Sequence, residues 1–385
     1  MATIFNNSSD SLNFEIDKIL ENFLYSNPKE FEDNVDSLVD FYNLYYLVFN
    51  QTHSDAYDFL NNNIKTVLKR DKLTNEDFKR LFKNLIENMN FNIDYSKRVI
   101  NKFNNNDLNI IDHFDQEISE KNMLDIMCSF LEDEFKNSDE FLKLINNGKL
   151  YSSDLSEEDN GDIYCGGYTI YNHVTGNSIV VISNNEDMIG IRLMSILMHE
   201  FGHVIDNIER KNNRSKKDNL NYVFSSSYTE VYSHLYESLF YKYLIKNNIF
   251  KDNGINYLKL LYESILSDFY NIYDISTLCK TCVQHSKKIG YDFKNNELFN
   301  NLDSNEIIKD DISYGYGRLI GNYLSDIKLE NEDKFKDMFI NFSNNRFSLF
   351  NEDIFNKMGT NSEEVIGYLN KDLKKIQKSN KLILK

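Results

Sequence analysis

Residues 191–209, IRLMSILMHEFGHVIDNIE, form the stretch that decides the expected fold. Apolar side chains recur in it at three- and four-residue spacing, which is the period of one face of an α-helix. The recurring residues are Met194, Leu197, Phe201, Ile205 and Ile208. On another face His199, His203 and Asp206 stand roughly one turn apart, and Glu200 follows the first histidine. The pattern predicts a buried helix that also carries a polar face.

The polar face contains the motif H-E-x-x-H. Two imidazoles at i and i+4 of a helix point the same way and can hold one zinc ion. The simpler interpretation is a helix that carries two histidines by coincidence. A buried helix is a costly place for two imidazoles and a carboxylate that have no partners, which favours the metal. We therefore expect one Zn²⁺ per chain, bound by His199 and His203.

The composition excludes several classes of partner. The 385 residues carry a formal net charge of −17 at pH 7, whereas phosphate binding needs clustered Lys and Arg, so nucleic acid is not expected as a partner. No run of about 18 apolar residues is present, so no membrane span is expected. The first 20 residues lack the basic region and apolar core of a secretory signal, and four cysteines do not make a disulfide framework. These features predict a folded, cytoplasmic protein.

The chain contains a single proline, so it has few helix breakers, and this predicts long helices joined by polar connectors. Residues 1–110 are predicted to be an N-terminal helical region without a chemical motif. Residues 111–385 contain the metal motif and are predicted to be the catalytic region.

The hydrophobic period changes just before the motif. The runs 168–171 and 178–182 are rich in β-prone residues, and Thr175-Gly176-Asn177 between them suits a turn. In zinc peptidases an edge strand beside the metal commonly pairs with the substrate backbone, although an ordinary hairpin is the alternative. The expected fold class is mainly α with a small β-sheet or hairpin.

A second helix is predicted over residues 225–245. Glu230, His234 and Glu237 fall at i, i+4 and i+7 of this segment and share one stripe. A catalytic zinc needs three protein ligands and an open position for water. Any of these three side chains could be the third ligand, and the spacing alone does not choose among them. Asp206 better suits a hydrogen bond to an imidazole.

Amide hydrolysis is the chemistry that follows from this set of residues. Glu200 would take the proton of the attacking water, and a further donor would stabilise the oxyanion. The amide expected to be hydrolysed is a peptide bond. Tyr314 or Tyr316, in the glycine-rich segment 312–324, could be that donor. Glycines there could let a tyrosine-bearing backbone approach a ligand, or the tyrosines could simply pack.

These motifs resemble those of the thimet oligopeptidase and oligoendopeptidase F family of zinc metallopeptidases. His-Glu-Phe-Gly-His at 199–203 and Glu-Val-Tyr-Ser-His-Leu-Tyr-Glu at 230–237 carry the resemblance. The resemblance implies a zincin-type (gluzincin) fold, Glu230 as the third zinc ligand and Glu237 as a carboxylate behind the ligands. It also implies an oxyanion role for Tyr316 first and Tyr314 second.

The resemblance covers roughly residues 110–385, and the N-terminal half is shorter than is usual in the family. Asp206 stands where the family has a third histidine. The resemblance implies a zinc endopeptidase acting on short oligopeptides. Two alternatives stay open: a relative that binds peptides without cleaving them, and a zinc hydrolase dedicated to one precursor or modified peptide.

Overall fold

A computed structural model describes the chain over a set of ranges: 4–8, 10–12, 14–15, 73–103, 108, 117–153, 166–171, 178–183, 189–213, 228–290, 305–346 and 353–383. Within these residues the fold is mainly helical with one small three-stranded sheet, which confirms the predicted class. None of the helices found there combines the length and the hydropathy needed to cross a membrane.

The described elements fall into two compact units. The first unit contains α2 (Glu120–Glu134), α3 (Ser138–Asn146), β1 (Leu150–Ser153), β2 (Gly167–Tyr171), β3 (Ser178–Ser183) and α4 (Gly190–Asn213). The second unit contains α1 (Leu73–Phe103), α5 (Val231–Lys246), α6 (Lys251–Lys288), α7 (Asn305–Glu330), α8 (Glu332–Asn345), α9 (Asp353–Lys357) and α10 (Ser362–Ile383). The units are therefore interleaved along the chain. The functional division expected at residue 110 stays a prediction.

The sheet of the first unit has the order β1-β3-β2. Strand β2 pairs antiparallel with β3, with Thr169 opposite Val180, which confirms the predicted pairing; the predicted turn at 175–177 lies outside the described residues. Strand β1 adds a parallel pairing to β3, with Leu150 opposite Val180, that was not predicted. All six residues of β3 are buried, as expected for a central strand with a continuous apolar run.

Helix α4 confirms the helix predicted over residues 191–209. It packs against β2 and β3, and its buried face includes Met194, Leu197 and Phe201. The ring of Phe201 meets that of Phe141 on α3 edge-on, with centroids 5.2 Å apart. The predicted apolar face is thus the one that contacts the sheet and the neighbouring helix. Its last two members, Ile205 and Ile208, are only half-buried.

Helix α5 is enclosed by α6 and α7 in the second unit, and nearly all of its residues from Val231 to Leu244 are buried. It begins later than the predicted start at 225. Tyr228 to Glu230 form a turn, in which the N–H of Val231 donates to the Tyr228 carbonyl at 3.2 Å. Glu230 therefore stands at the N-cap position of the helix instead of inside it.

A buried ionic cluster links α5, α7 and α10. The Nζ of Lys242 lies 2.7 Å from Asp326 Oδ1 and 3.6 Å from Asp372 Oδ2. The hydroxyl of Tyr262 on α6 donates to Asp372 Oδ2 at 2.8 Å, and Lys375 lies 3.0 Å from Oδ1 of the same carboxylate. Burial raises the pKa of Asp326 to about 8. Burial also acts to raise the pKa of Asp372, but the positive charge of Lys242 and the bonds from its neighbours lower it overall.

Asp326→Asn should flatten the pH dependence of stability between pH 5 and 8. The pKa of Asp326 is higher in the folded chain than its ordinary value of 3.8. Folding therefore favours the protonated carboxyl, and the free energy of unfolding falls as pH rises, by about 1 kcal/mol per pH unit. The amide does not titrate, so this decline should be smaller in the variant. Urea unfolding followed by circular dichroism measures it.

Asp372→Asn is the matched control, because its carboxylate is the member of the pair whose pKa is lowered. Removing that charge leaves the buried Lys242 undercompensated and should destabilise the protein across this pH range, by about 3 kcal/mol. Parallel pH curves for the wild-type protein and Asp326→Asn would contradict the assignment.

Candidate metal centre

His199 and His203 lie side by side on α4. Their ring centroids are 5.1 Å apart, the ring planes are nearly perpendicular, and both side chains are half-buried. One helical turn separates the two residues, so their imidazoles point in the same direction. The helix therefore presents two nitrogen ligands together, as the H-E-x-x-H motif predicted.

Glu200 is buried beside the histidine pair, with 5% of its surface exposed. The hydroxyl of Thr169 on β2 lies 2.8 Å from Glu200 Oε2 and 3.0 Å from the Glu200 carbonyl oxygen. The strand therefore supplies a hydrogen-bond donor to the side chain predicted to act as the base. Thr169 was not selected from the sequence, and the available signal was its place in the β-prone run just before the motif.

Asp206 forms an ion pair with Arg210, one turn later on α4. The Nε of Arg210 lies 3.2 Å from Asp206 Oδ2, and both side chains are almost completely buried. Arg210 also hydrogen-bonds the side chain of Asn207. Arg210 was not identified from the sequence. The role expected for Asp206, a hydrogen bond to an imidazole, stays a prediction.

Helix α5 carries the stripe of predicted ligands. Glu230 is half-buried, and the hydroxyl of Ser233 lies 3.1 Å from its Oε2. His234 is buried, and its Nδ1 lies 2.7 Å from Glu237 Oε2. The Tyr241 hydroxyl donates to the other carboxylate oxygen of Glu237 at 2.8 Å. Glu237 thus orients the His234 ring and is itself held by Tyr241.

The two candidate tyrosines of α7 point in different directions. The ring of Tyr314 meets the His234 ring edge-on, with centroids 5.7 Å apart, and the Arg318 guanidinium lies 4.9 Å from the Tyr314 ring centroid. Tyr316 is fully buried, and its hydroxyl donates to Asn92 Oδ1 on α1 at 2.7 Å. Residues two apart on a helix do not share a face.

The surroundings of the two hydroxyls differ accordingly. Burial raises the pKa of Tyr316 well above its ordinary value, and its ring packs against those of Tyr95 and Phe269. Tyr314 instead adjoins an imidazole on the ligand-bearing helix. The Tyr316 hydroxyl is thus enclosed and already bonded to Asn92, whereas Tyr314 is only half-buried beside His234. The order expected for the two as oxyanion donors stays a prediction.

The glycines of α7 serve a helix crossing. A Cβ at Gly317 would lie 2.5 Å from the Cβ of Glu230, and one at Gly321 would lie 2.7 Å from the backbone nitrogen of Leu235. Real Cβ atoms do not approach other atoms this closely, so these positions let α7 pass directly against the start of α5. The glycines were considered from the sequence as a means for the backbone to approach a ligand. In the structure Gly317 lies against Glu230, and Gly321 lies against the backbone of α5.

Side chains that could hold a metal ion occur in both units of the described residues. His199 and His203 lie on α4 of the first unit, and Glu230, His234 and Glu237 lie at the start of α5 in the second. Imidazole nitrogens combined with a carboxylate suit zinc, whereas calcium and magnesium prefer oxygen ligands. These donor types therefore fit the expected ion. Glu230 as the third ligand stays a prediction.

Gly317→Ala should weaken zinc binding, because the added methyl group must displace Glu230. We expect an affinity about tenfold lower, as for other changes that misplace a ligand. Isothermal titration with Zn²⁺ measures it, and circular dichroism checks that the variant is folded. Gly367→Ala on α10 is the matched control, since nothing lies within 4 Å of a Cβ placed there. An unchanged affinity in folded Gly317→Ala would contradict the role given to the glycine.

Comparison of the chain with family models, curated proteins and solved structures finds no match. The resemblance to the oligopeptidase family consequently depends on the motifs at 199–203 and 230–237, and it stays a prediction.

Proposed function

We propose that this protein is a zinc-dependent endopeptidase that hydrolyses peptide bonds in short oligopeptides. The observation that carries the proposal is the arrangement on α4. Two imidazoles lie 5.1 Å apart, and the buried carboxylate between them in sequence is held by a hydroxyl at 2.8 Å. A metal-binding pair with an adjacent oriented base is the arrangement that metal-assisted hydrolysis requires.

His199, His203 and Glu230 would hold the ion, because two imidazoles and one carboxylate are a zinc ligand set that leaves a position for water. When bound, zinc polarises the scissile carbonyl and makes water a stronger nucleophile near neutral pH. Glu237 would orient His234, through the contact of 2.7 Å between His234 Nδ1 and Glu237 Oε2.

The side chains of the chain handle the protons. Glu200 accepts the proton of the attacking water as the new C–O bond forms, and it then delivers a proton to the leaving amine as the C–N bond breaks. The hydroxyl of Tyr314 donates a hydrogen bond to the carbonyl oxygen as negative charge develops on it.

Strand β2 supports a peptide as the substrate. In the described residues it is an edge of the sheet, paired with β3 on one side. An extended peptide can add to such an edge through main-chain hydrogen bonds, which bind the backbone without selecting particular side chains. The limit to short peptides comes from the resemblance to the oligopeptidase family.

Glu200→Gln and Glu230→Ala should separate catalysis from metal binding. Glu200→Gln should retain one zinc per chain and lose hydrolysis by about a thousandfold, because an amide cannot accept the proton. Glu230→Ala should lose zinc and activity together. Metal content by mass spectrometry and cleavage of a quenched peptide library give the two readouts.

Glu263→Gln, at an exposed position of α6, is the control for a carboxylate change away from the site. Hydrolysis that persists after zinc is removed by a chelator would refute the proposal. Zinc binding without any cleavage by the wild-type protein would favour the peptide-binding alternative.

Tyr314→Phe should mainly reduce catalysis, whereas Tyr316→Phe should mainly reduce stability. Tyr314→Phe should lower kcat by about a hundredfold with little change in stability, because it removes the oxyanion donor. Tyr316→Phe should lose less turnover but cost about 1–2 kcal/mol of stability, because it leaves the buried side chain of Asn92 without this hydrogen bond. Steady-state kinetics and urea unfolding of both variants decide the order, and a larger kcat loss in Tyr316→Phe would restore Tyr316 as the donor.

A further inference from the structure

Strand β2 presents alternate residues toward helix α4. Successive side chains of a strand point to opposite sides of the sheet, so positions 167 and 169 share one face. Both positions contact Glu200, whose side chain lies on the helix that packs against this strand. The carboxylate is therefore fixed from the strand as well as from its own helix.

Gly167 provides the room for the lower part of the glutamate side chain. A Cβ at this position would lie 3.0 Å from Glu200 Cγ, 2.8 Å from Ile182 Cδ1 and 3.1 Å from Ile196 Cγ2. Contacts this short would force the neighbours to move. The glycine thus lets Glu200 lie directly against the strand backbone.

Thr169 fixes the other end of the side chain. Its hydroxyl carries one proton, and the nearer of its two acceptors is Glu200 Oε2 at 2.8 Å, compared with 3.0 Å for the backbone carbonyl. A hydrogen bond to a charged carboxylate is also stronger than one to a neutral carbonyl. With Oε2 bonded to Thr169, Oε1 is the carboxylate oxygen that takes the proton from water.

We propose that Thr169 is a positioning residue for the general base Glu200, with Gly167 providing the space for it. This inference rests on the proposed hydrolytic function. Thr169 acts through the glutamate and does not touch the reacting atoms. It restricts the carboxylate to one orientation, so the base is aligned before the substrate arrives. Loss of the hydroxyl leaves the zinc ligands in place but lets the carboxylate turn away from the water.

The kinetic test compares Thr169→Val, Thr169→Ser and the control Thr281→Val. Valine keeps the shape of threonine without the hydroxyl, so Thr169→Val should lower kcat about tenfold to a hundredfold with KM and zinc content unchanged. Serine keeps the hydroxyl and should restore kcat to within about threefold of wild type. Thr281 is exposed on α6 and its hydroxyl bonds the Thr277 carbonyl of the same helix, so its variant should behave as wild type. Equal losses in Thr169→Val and Thr169→Ser would show a packing role and overturn the proposal.

Crystal structures of the metal-free wild type and Thr169→Val give a readout that does not need activity. The Glu200 carboxylate should occupy one orientation in the wild type and several, or a rotated one, in the variant. An unchanged Glu200 in Thr169→Val would overturn the positioning role whatever the kinetics. If the wild-type protein cleaves no peptide, the proposed hydrolysis fails, but the orientation of Glu200 in the two structures still decides whether Thr169 positions it.

Discussion

The packing of helix α4 against the sheet imposes the constraint on which the first unit depends. This helix buries polar and ionisable side chains together with its apolar ones, and a buried carboxylate is costly unless it is hydrogen-bonded or paired. Each of the two buried carboxylates of the helix, Glu200 and Asp206, has such a partner. Glu200 accepts from Thr169, and Asp206 pairs with Arg210. The partners come from a strand in one case and from the next turn in the other.

The second unit also contains a helix with buried polar side chains that need partners, and this helix is buried on nearly all sides. Helix α5 has no solvated face along most of its length, so its polar groups must be satisfied inside the protein. Glu237 bonds both His234 and Tyr241, while Lys242 bonds the carboxylate of Asp326. One end of the helix thus holds the candidate ligands, and the other is anchored by the contacts of Lys242 with carboxyl groups on α7 and α10.

Local sequence patterns account for much of the fold and part of the site. The helical period and H-E-x-x-H spacing of α4 are properties of a single segment, and so is the β-prone pattern of β2 and β3. Apart from the local pair of Asp206 and Arg210, the missed features of the site depend on residues far apart in the chain. Thr169 and Glu200 are separated by 31 positions, and Tyr316 and Asn92 by 224. No periodicity in one segment reports which side of a helix will meet another segment.

Strand β1 and the glycines of α7 are two further features whose structural role local sequence patterns did not predict. The sequence LYSS of β1 has little β-propensity of its own, and the strand exists because β3 offers it an edge. The interleaving of the two units along the chain also follows from long-range packing. The sequence suggested that the glycines of α7 could let a tyrosine-bearing backbone approach a ligand. In the structure Gly317 and Gly321 instead let α7 cross close to α5.

The close crossing of α7 and the start of α5 limits which residues can be substituted at distant positions of the sequence. A chain that keeps Glu230 at this spot while α7 passes over it must keep a residue without a side chain at 317, and the same holds for 321 beside Leu235. Substitution at these two positions is disfavoured by their close contact with the start of α5, whatever substrate the protein acts on. Divergent homologues should therefore share a joint signature, in which the glutamate at 230 occurs together with two glycines four residues apart in α7.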